Sequence, residues 1–100
     1  MWHVKIHDDV GKEDFKTISP ADRQRIIDTA IEKLSKDPYA YGHPLHSPYK
    51  GYWRLRFDKY RVVYQIIKED VMVWIIMIGK RKDNLVYRKL ASRLFKIHRN

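Results

Sequence analysis

Gly51-Tyr52-Trp53-Arg54-Leu55-Arg56-Phe57-Asp58-Lys59-Tyr60-Arg61-Val62-Val63-Tyr64-Gln65 is the stretch on which the rest of the chain depends. Residues 52 to 57 alternate strictly, with Trp53, Leu55 and Phe57 on one face and Tyr52, Arg54 and Arg56 on the other. Residues 60 to 66 alternate as well: Tyr60, Val62, Tyr64 and Ile66 share a face, and Arg61, Val63 and Gln65 share its reverse. A period of two identifies two half-buried strands. With Asp58 and Lys59 as the turn, Phe57 pairs with Tyr60, Arg56 with Arg61 and Leu55 with Val62. A slip of one residue would scatter the large apolar side chains over both faces. The turn lacks the glycine that two-residue hairpin loops favour.

This register sets Arg56 across from Arg61, with Arg54 one step along the same face. Like charges held opposite each other cost stability, so the pattern points to an anion bound there. The alternative is a solvated face on which Asp58, Glu69 or Asp70 pairs with the arginines.

Working outward, Lys68-Glu69-Asp70 forms a second turn, and Val71 to Ile78 is apolar on both faces, as a central strand covered on both sides should be. With Lys68 opposite Val71, Ile78 is expected to face Arg61. Arg81 then emerges near Arg61 and Arg56, and Tyr87 can reach the same end of the sheet. Upstream, Trp2 to His7 reads as a strand. Asp8 and Asp9 supply a helix start, and a short helix follows within Val10–Ile18. Ser19 suits an N-cap, Pro20 the first helical position and Asp22 the first turn. Ile26, Ile27, Ala30, Ile31 and Leu34 recur at helical spacing. Glu32 and Lys36 form a favourable i, i+4 pair, and Asp37-Pro38 ends the helix. Residues 38 to 48 read as a loop. Leu85 to Lys96 carries the stripe Leu90, Ala91, Leu94 and Phe95. The expected fold is α+β: a small antiparallel sheet in the order β-α-α-β-β-β-α. An N-terminal αα-hairpin packs on one face, and the C-terminal helix partly covers the other.

One hundred residues, 44% apolar and 13% aromatic, suit a single folded domain over residues 1–100. The absence of cysteine removes disulfides and thiolate metal sites. His43 and His46 stand three apart without a third ligand nearby, so no metal is expected. No signal peptide or membrane-length apolar run is evident, which implies a soluble, cytoplasmic chain without membrane contact. The net charge of +9, from 21 basic and 12 acidic residues, favours a polyanionic partner.

Trp53-Arg54-Leu55-Arg56, then Tyr60-Arg61-Val62-Val63-Tyr64, then Ile78-Gly79-Lys80-Arg81 and Val86-Tyr87 resemble the RelE/ParE superfamily of toxins from toxin–antitoxin pairs. The resemblance extends over nearly the whole chain. Arg81 and Tyr87 match the terminal motif of the RelE branch, whose members are ribosome-dependent mRNA endonucleases. Arg61 matches the arginine heading the third strand. Arg54 falls where that branch has a catalytic strand lysine. A second catalytic lysine, two residues earlier, is replaced by Tyr52.

The resemblance implies cleavage of mRNA in the ribosomal A site, beside 16S rRNA, by attack of a 2′-hydroxyl on the adjacent phosphate. No metal or cofactor is expected. Arginine stays protonated and cannot be the base, and no histidine occupies a motif position. Tyr87 is then the candidate base, Arg61 and Arg54 the phosphate clamp, and Arg81 the group that stabilises the leaving oxygen or passes it a proton through the network. Arg56, Lys59, Lys80 and Lys82 would hold the RNA backbone without reading sequence. The resemblance also implies an acidic antitoxin bound in a hetero-oligomer. Two alternatives remain open at this point: a ParE-like inhibitor of DNA gyrase, and an attenuated homologue that mainly binds its antitoxin.

Overall fold

A computed structural model of the protein describes residues 1–82 and 86–99. The chain runs β1 (His3–Ile6), α1 (Asp8–Lys12), a 3₁₀ turn (Asp14–Thr17), α2 (Pro20–Lys36), α3 (Pro38–Tyr41) and β2 (His43–Pro44). It continues through β3 (Tyr52–Phe57), β4 (Tyr60–Ile67), a second 3₁₀ turn (Lys68–Asp70), β5 (Met72–Lys80) and α4 (Val86–His98). Leu85, read from sequence as the first residue of the last helix, lies outside the described residues, as do Asp83, Asn84 and Asn100.

The central hairpin has the expected register: Phe57 pairs with Tyr60, Arg56 with Arg61 and Leu55 with Val62. Asp58 takes the positive φ of 54° that the turn needs. Aspartate tolerates this region better than most non-glycine residues. Ser19 caps α2 by accepting the Asp22 N–H, with Pro20 in the first turn. Glu32 and Lys36 form the expected ion pair at 3.8 Å.

Four features depart from the sequence reading. The sheet order is β1-β5-β4-β3-β2, with β1 parallel to β5, so the sheet is mixed rather than wholly antiparallel. The first strand adds at the edge of the sheet beside β5, and no tight hairpin joins the two, so it can pair in the parallel sense. The segment 38–48 is not only loop. Asp37 caps the single turn of α3 by accepting from Tyr39 and Ala40 N–H, and β2 satisfies the edge of β3 through His43–Arg54 and Pro44–Trp53 pairing. The first helix of the expected hairpin is one short α-helix followed by a 3₁₀ turn. Finally, Arg61 faces Gly79, not Ile78. The register shifts between Val63 and Tyr64: Val63 pairs with Met77 but Tyr64 with Ile75, which leaves Ile76 as the extra residue of a β-bulge.

The bulge lets β5 serve two cores. Val73, Ile75 and Ile78 pack with Leu55, Val62 and Tyr64 against Val10, Ile26, Ala30 and Leu34 from the helical layer. Ile76 and Met77 join Val63 and Leu45 beneath Leu90 of α4, with Leu94 and Ile97 packed alongside. Ile97 thus replaces Ala91 and Phe95 of the expected stripe, and Phe95 is 69% exposed. The second core is closed by a buried ion pair. Arg93 on α4 is bidentate to Asp14, with Nη1–Oδ2 at 2.8 Å and Nη2–Oδ1 at 3.0 Å. Asp14 also accepts the Ile78 N–H, and Arg93 donates to the Ile76 carbonyl. The two side chains thereby occupy backbone groups at the bulge and just after it, groups that would be costly to bury unpaired.

Candidate active site

The face of the sheet that carries α4 is covered only in part. Beyond Val63 and Met77, β3 and β4 present arginines. Arg56, Lys59, Arg61, Lys80, Arg81 and Lys82 line one groove of about 440 Å³. All four cations expected at the RNA backbone are in this groove, together with Arg61 and Arg81. Arg54 and Arg56 open onto an adjoining groove of about 320 Å³, walled by the 44–49 segment and Tyr87. The two grooves meet at Arg56.

Arg81 is tied to the β3–β4 turn. Its backbone N–H donates to the Lys59 carbonyl at 2.8 Å, and Nη1 donates to the Asp58 carbonyl at 3.1 Å. Hairpin geometry thus places Arg81 beside Arg61, although the two are twenty residues apart in sequence. Arg61 is only 8% exposed, and its guanidinium lies 5.2 Å from the centroid of the Tyr87 ring, a cation–π distance. Tyr87, in the first turn of α4, also stacks on Tyr49, with centroids 5.7 Å apart and planes 18° apart.

The electrostatics of this cluster are unusual for a protein surface. Burial pulls the Arg54 guanidinium below its ordinary range, and the cations at Arg56 and Arg61 push the same way, as does Arg81. Arg54 Nη1 and Arg61 Nε are buried, and neither has a hydrogen-bond partner among the described residues. Orphaned buried donors on cations are costly, and an anion placed against them would recover that cost. Among the described residues, none of Arg54, Arg56 and Arg61 pairs with Asp58, Glu69 or Asp70. Asp58 instead bridges to Arg25 at 3.6 Å. The solvated ion-pair alternative therefore finds no support in the side-chain contacts.

Tyr52 lies on the same face, but its hydroxyl meets His98 Nε2 at the far end of α4, at 2.7 Å. Burial raises its pKa. Tyr52 therefore latches the last helix. Sequence reasoning assigned no role to Tyr49 or Arg93. Neither carries a local signal, because each acts on a partner 38 or 79 residues away. Among the described residues, no group of three or more His, Asp or Glu could hold a metal ion, and no helix is long and apolar enough to cross a membrane.

Comparison with known proteins gives this geometry a context. The model of the ParE toxin family of type II toxin–antitoxin systems (parDE) matches residues 4–85. The chain belongs to this family. As a toxin of the RelE/ParE superfamily it is similar to the mRNA interferase toxin RelE of Escherichia coli K12, at 44% identity over 41 residues, 41% of this chain and 43% of that protein. The match thus spans less than half of that relative's length. It is also similar to toxin RelG of Mycobacterium tuberculosis, at 28% identity over 79% of this chain and 88% of that toxin. Among solved structures, the RelBE2 toxin–antitoxin complex of Mycobacterium tuberculosis superposes with a TM-score of 0.74 at 25% identity. That superposition covers 80% of this chain and 98% of the other.

Proposed function

We propose that this toxin is an endoribonuclease that cuts mRNA in the ribosomal A site. The observation that carries the proposal is the meeting of Arg54, Arg61, Arg81 and Tyr87, from four separate segments, at two buried guanidinium donors that lack an acceptor among the described residues. In the proposed reaction, Tyr87 as phenolate takes the proton of a 2′-hydroxyl. That oxygen bonds to the adjacent phosphorus, and the bond from phosphorus to the 5′-oxygen breaks. The products are a 2′,3′-cyclic phosphate and a 5′-hydroxyl, whose proton arrives from solvent. Arg54 and Arg61 neutralise the phosphoryl oxygens as charge develops, and Arg81 steadies the departing oxygen. Arg56, Lys59, Lys80 and Lys82 grip the RNA backbone. A site made of charge and one phenol depends on precise placement of its substrate, and the ribosome supplies that placement. The partner that silences the toxin is an antitoxin with an acidic segment complementary to the +9 chain.

The test is primer extension on translated mRNA after induction in cells. The wild type should produce discrete ends within codons. Arg81→Ala and Tyr87→Phe should each reduce them by about 10²-fold or more while the circular dichroism spectrum and antitoxin binding persist. Unchanged toxicity in both variants overturns the assignment of roles. The ParE family match favours one competitor: intact mRNA with an induced DNA-damage response would identify a gyrase inhibitor instead.

A further inference from the structure

The proposed chemistry leaves one feature unexplained: the ring of Tyr87 is held in a particular place although it is 38% exposed. An aromatic side chain in the first turn of a helix has several rotamers open to it. Two contacts select one of them. The first is the Arg61 guanidinium. The second is Tyr49, whose ring stacks on Tyr87 and whose hydroxyl donates to the Tyr87 carbonyl at 3.0 Å.

Tyr49 is itself rigidly held. Its N–H donates to the His46 carbonyl at 2.9 Å, and its carbonyl accepts the Tyr52 N–H at 3.1 Å. The Leu45 N–H donates to the Tyr52 carbonyl at 2.8 Å. The 45–52 segment is thereby stapled to the start of β3, the strand that carries Arg54 and Arg56. One stiff piece of chain sets both the arginines and the stacking ring, whereas Tyr87 belongs to a different element.

We infer that Tyr49 is a positioning residue that holds the Tyr87 phenol at the phosphate-binding arginines. This inference rests on the reading of Tyr87 as the reacting group. An offset aromatic stack biases the side-chain population about 2- to 10-fold. Displacing a reacting group by about 1 Å can cost about 10²-fold in rate. Tyr49→Ala should therefore lower the single-turnover cleavage rate on programmed ribosomes by about 10- to 100-fold. The concentration giving half-maximal rate should change by less than about threefold, because the RNA-gripping cations are untouched. Tyr49→Phe keeps the ring and loses only the hydroxyl, so it should recover most of the rate. In a Tyr87→Phe background, Tyr49→Ala should have no further effect.

A purely packing role would lower the melting temperature without this pattern. A second readout is independent of cleavage. In protein carrying ¹³Cζ-labelled tyrosine, the Tyr87 resonance, assigned by its loss in Tyr87→Phe, should shift in Tyr49→Leu as the ring current of Tyr49 disappears. A rate within twofold of wild type in folded Tyr49→Ala overturns the inference and leaves the proposed reaction standing. If the wild type cleaves no RNA, the proposed reaction fails, and the resonance alone decides whether Tyr49 holds Tyr87; an unmoved signal refutes it.

Discussion

The ion pair between Arg93 and Asp14 joins α4 to the rest of the molecule, and its removal should be among the most damaging single changes available. Both side chains are buried, at 5% and 2% exposure. Four short hydrogen bonds tie them to each other and to the Ile76 carbonyl and the Ile78 N–H. Breaking a buried pair from one side costs about 3–5 kcal/mol, because the remaining charge stays buried. Arg93→Met should fall at the upper end, since Asp14 then keeps only the Ile78 N–H. Asp14→Asn should fall near 3 kcal/mol, since Asp9 at 3.6 Å and Glu13 at 3.9 Å still face Arg93. For a domain of this size, about 3 kcal/mol corresponds to a fall in melting temperature of roughly 12–24 °C. It is also a large share of a typical total stability of about 5–15 kcal/mol. Urea unfolding followed by circular dichroism at 25 °C measures these losses directly. The Asp14→Leu/Arg93→Met double variant should lose less than the sum of Asp14→Leu and Arg93→Met measured singly by about 2 kcal/mol, because neither member of the pair is then left as a buried charge without the other. It should still be weaker than wild type, because the backbone groups at the bulge lose their partners. Single losses below about 1 kcal/mol, or additivity within about 0.5 kcal/mol, would refute the view that this pair carries α4.

Two further outcomes follow from other contacts. The Tyr60 hydroxyl donates to Asp22, which with burial pushes the Tyr60 pKa from 10.0 up to about 12. A raised folded-state pKa gives stability that is complete below pH 10 and lost as pH rises through about 12; unfolding midpoints measured from pH 8 to 12 should therefore fall more steeply in the wild type than in Tyr60→Phe. Tyr52→Phe removes the bond to His98 and should cost about 0.5–1.5 kcal/mol. Hydrogen exchange at residues 94–98 should accelerate in this variant while β4 stays protected, and equal protection of both segments would count against the latch.

Much of the fold was legible because it is written in near neighbours. Alternation from Tyr52 to Gln65 set the hairpin register, and the Ser19-Pro20-Ala21-Asp22 start set the beginning of α2. Arg56 and Arg61 could be placed face to face because a two-residue turn leaves few alternatives. Arg81 could be placed near them once β5 was read as the returning strand. Ile76 escaped notice because a continuous apolar run gives no sign of which residue is extra. The two-residue strand at His43–Pro44 is too short to show a period. Ile97 and Phe95 exchanged roles because a short helical stripe leaves its exact facing open by a residue or two.

The chain's own order of residues determined that there would be a paired-strand platform with arginines on one side, apolar side chains on the other and an excess of positive charge, since periodicity and charge act between neighbours. Tertiary structure alone decided that Tyr49 would meet Tyr87, that Arg93 would find Asp14, and that Tyr52 would latch α4 at His98. Those contacts join residues 38 to 79 positions apart, and they exist only once a bulged central strand has been covered on both faces.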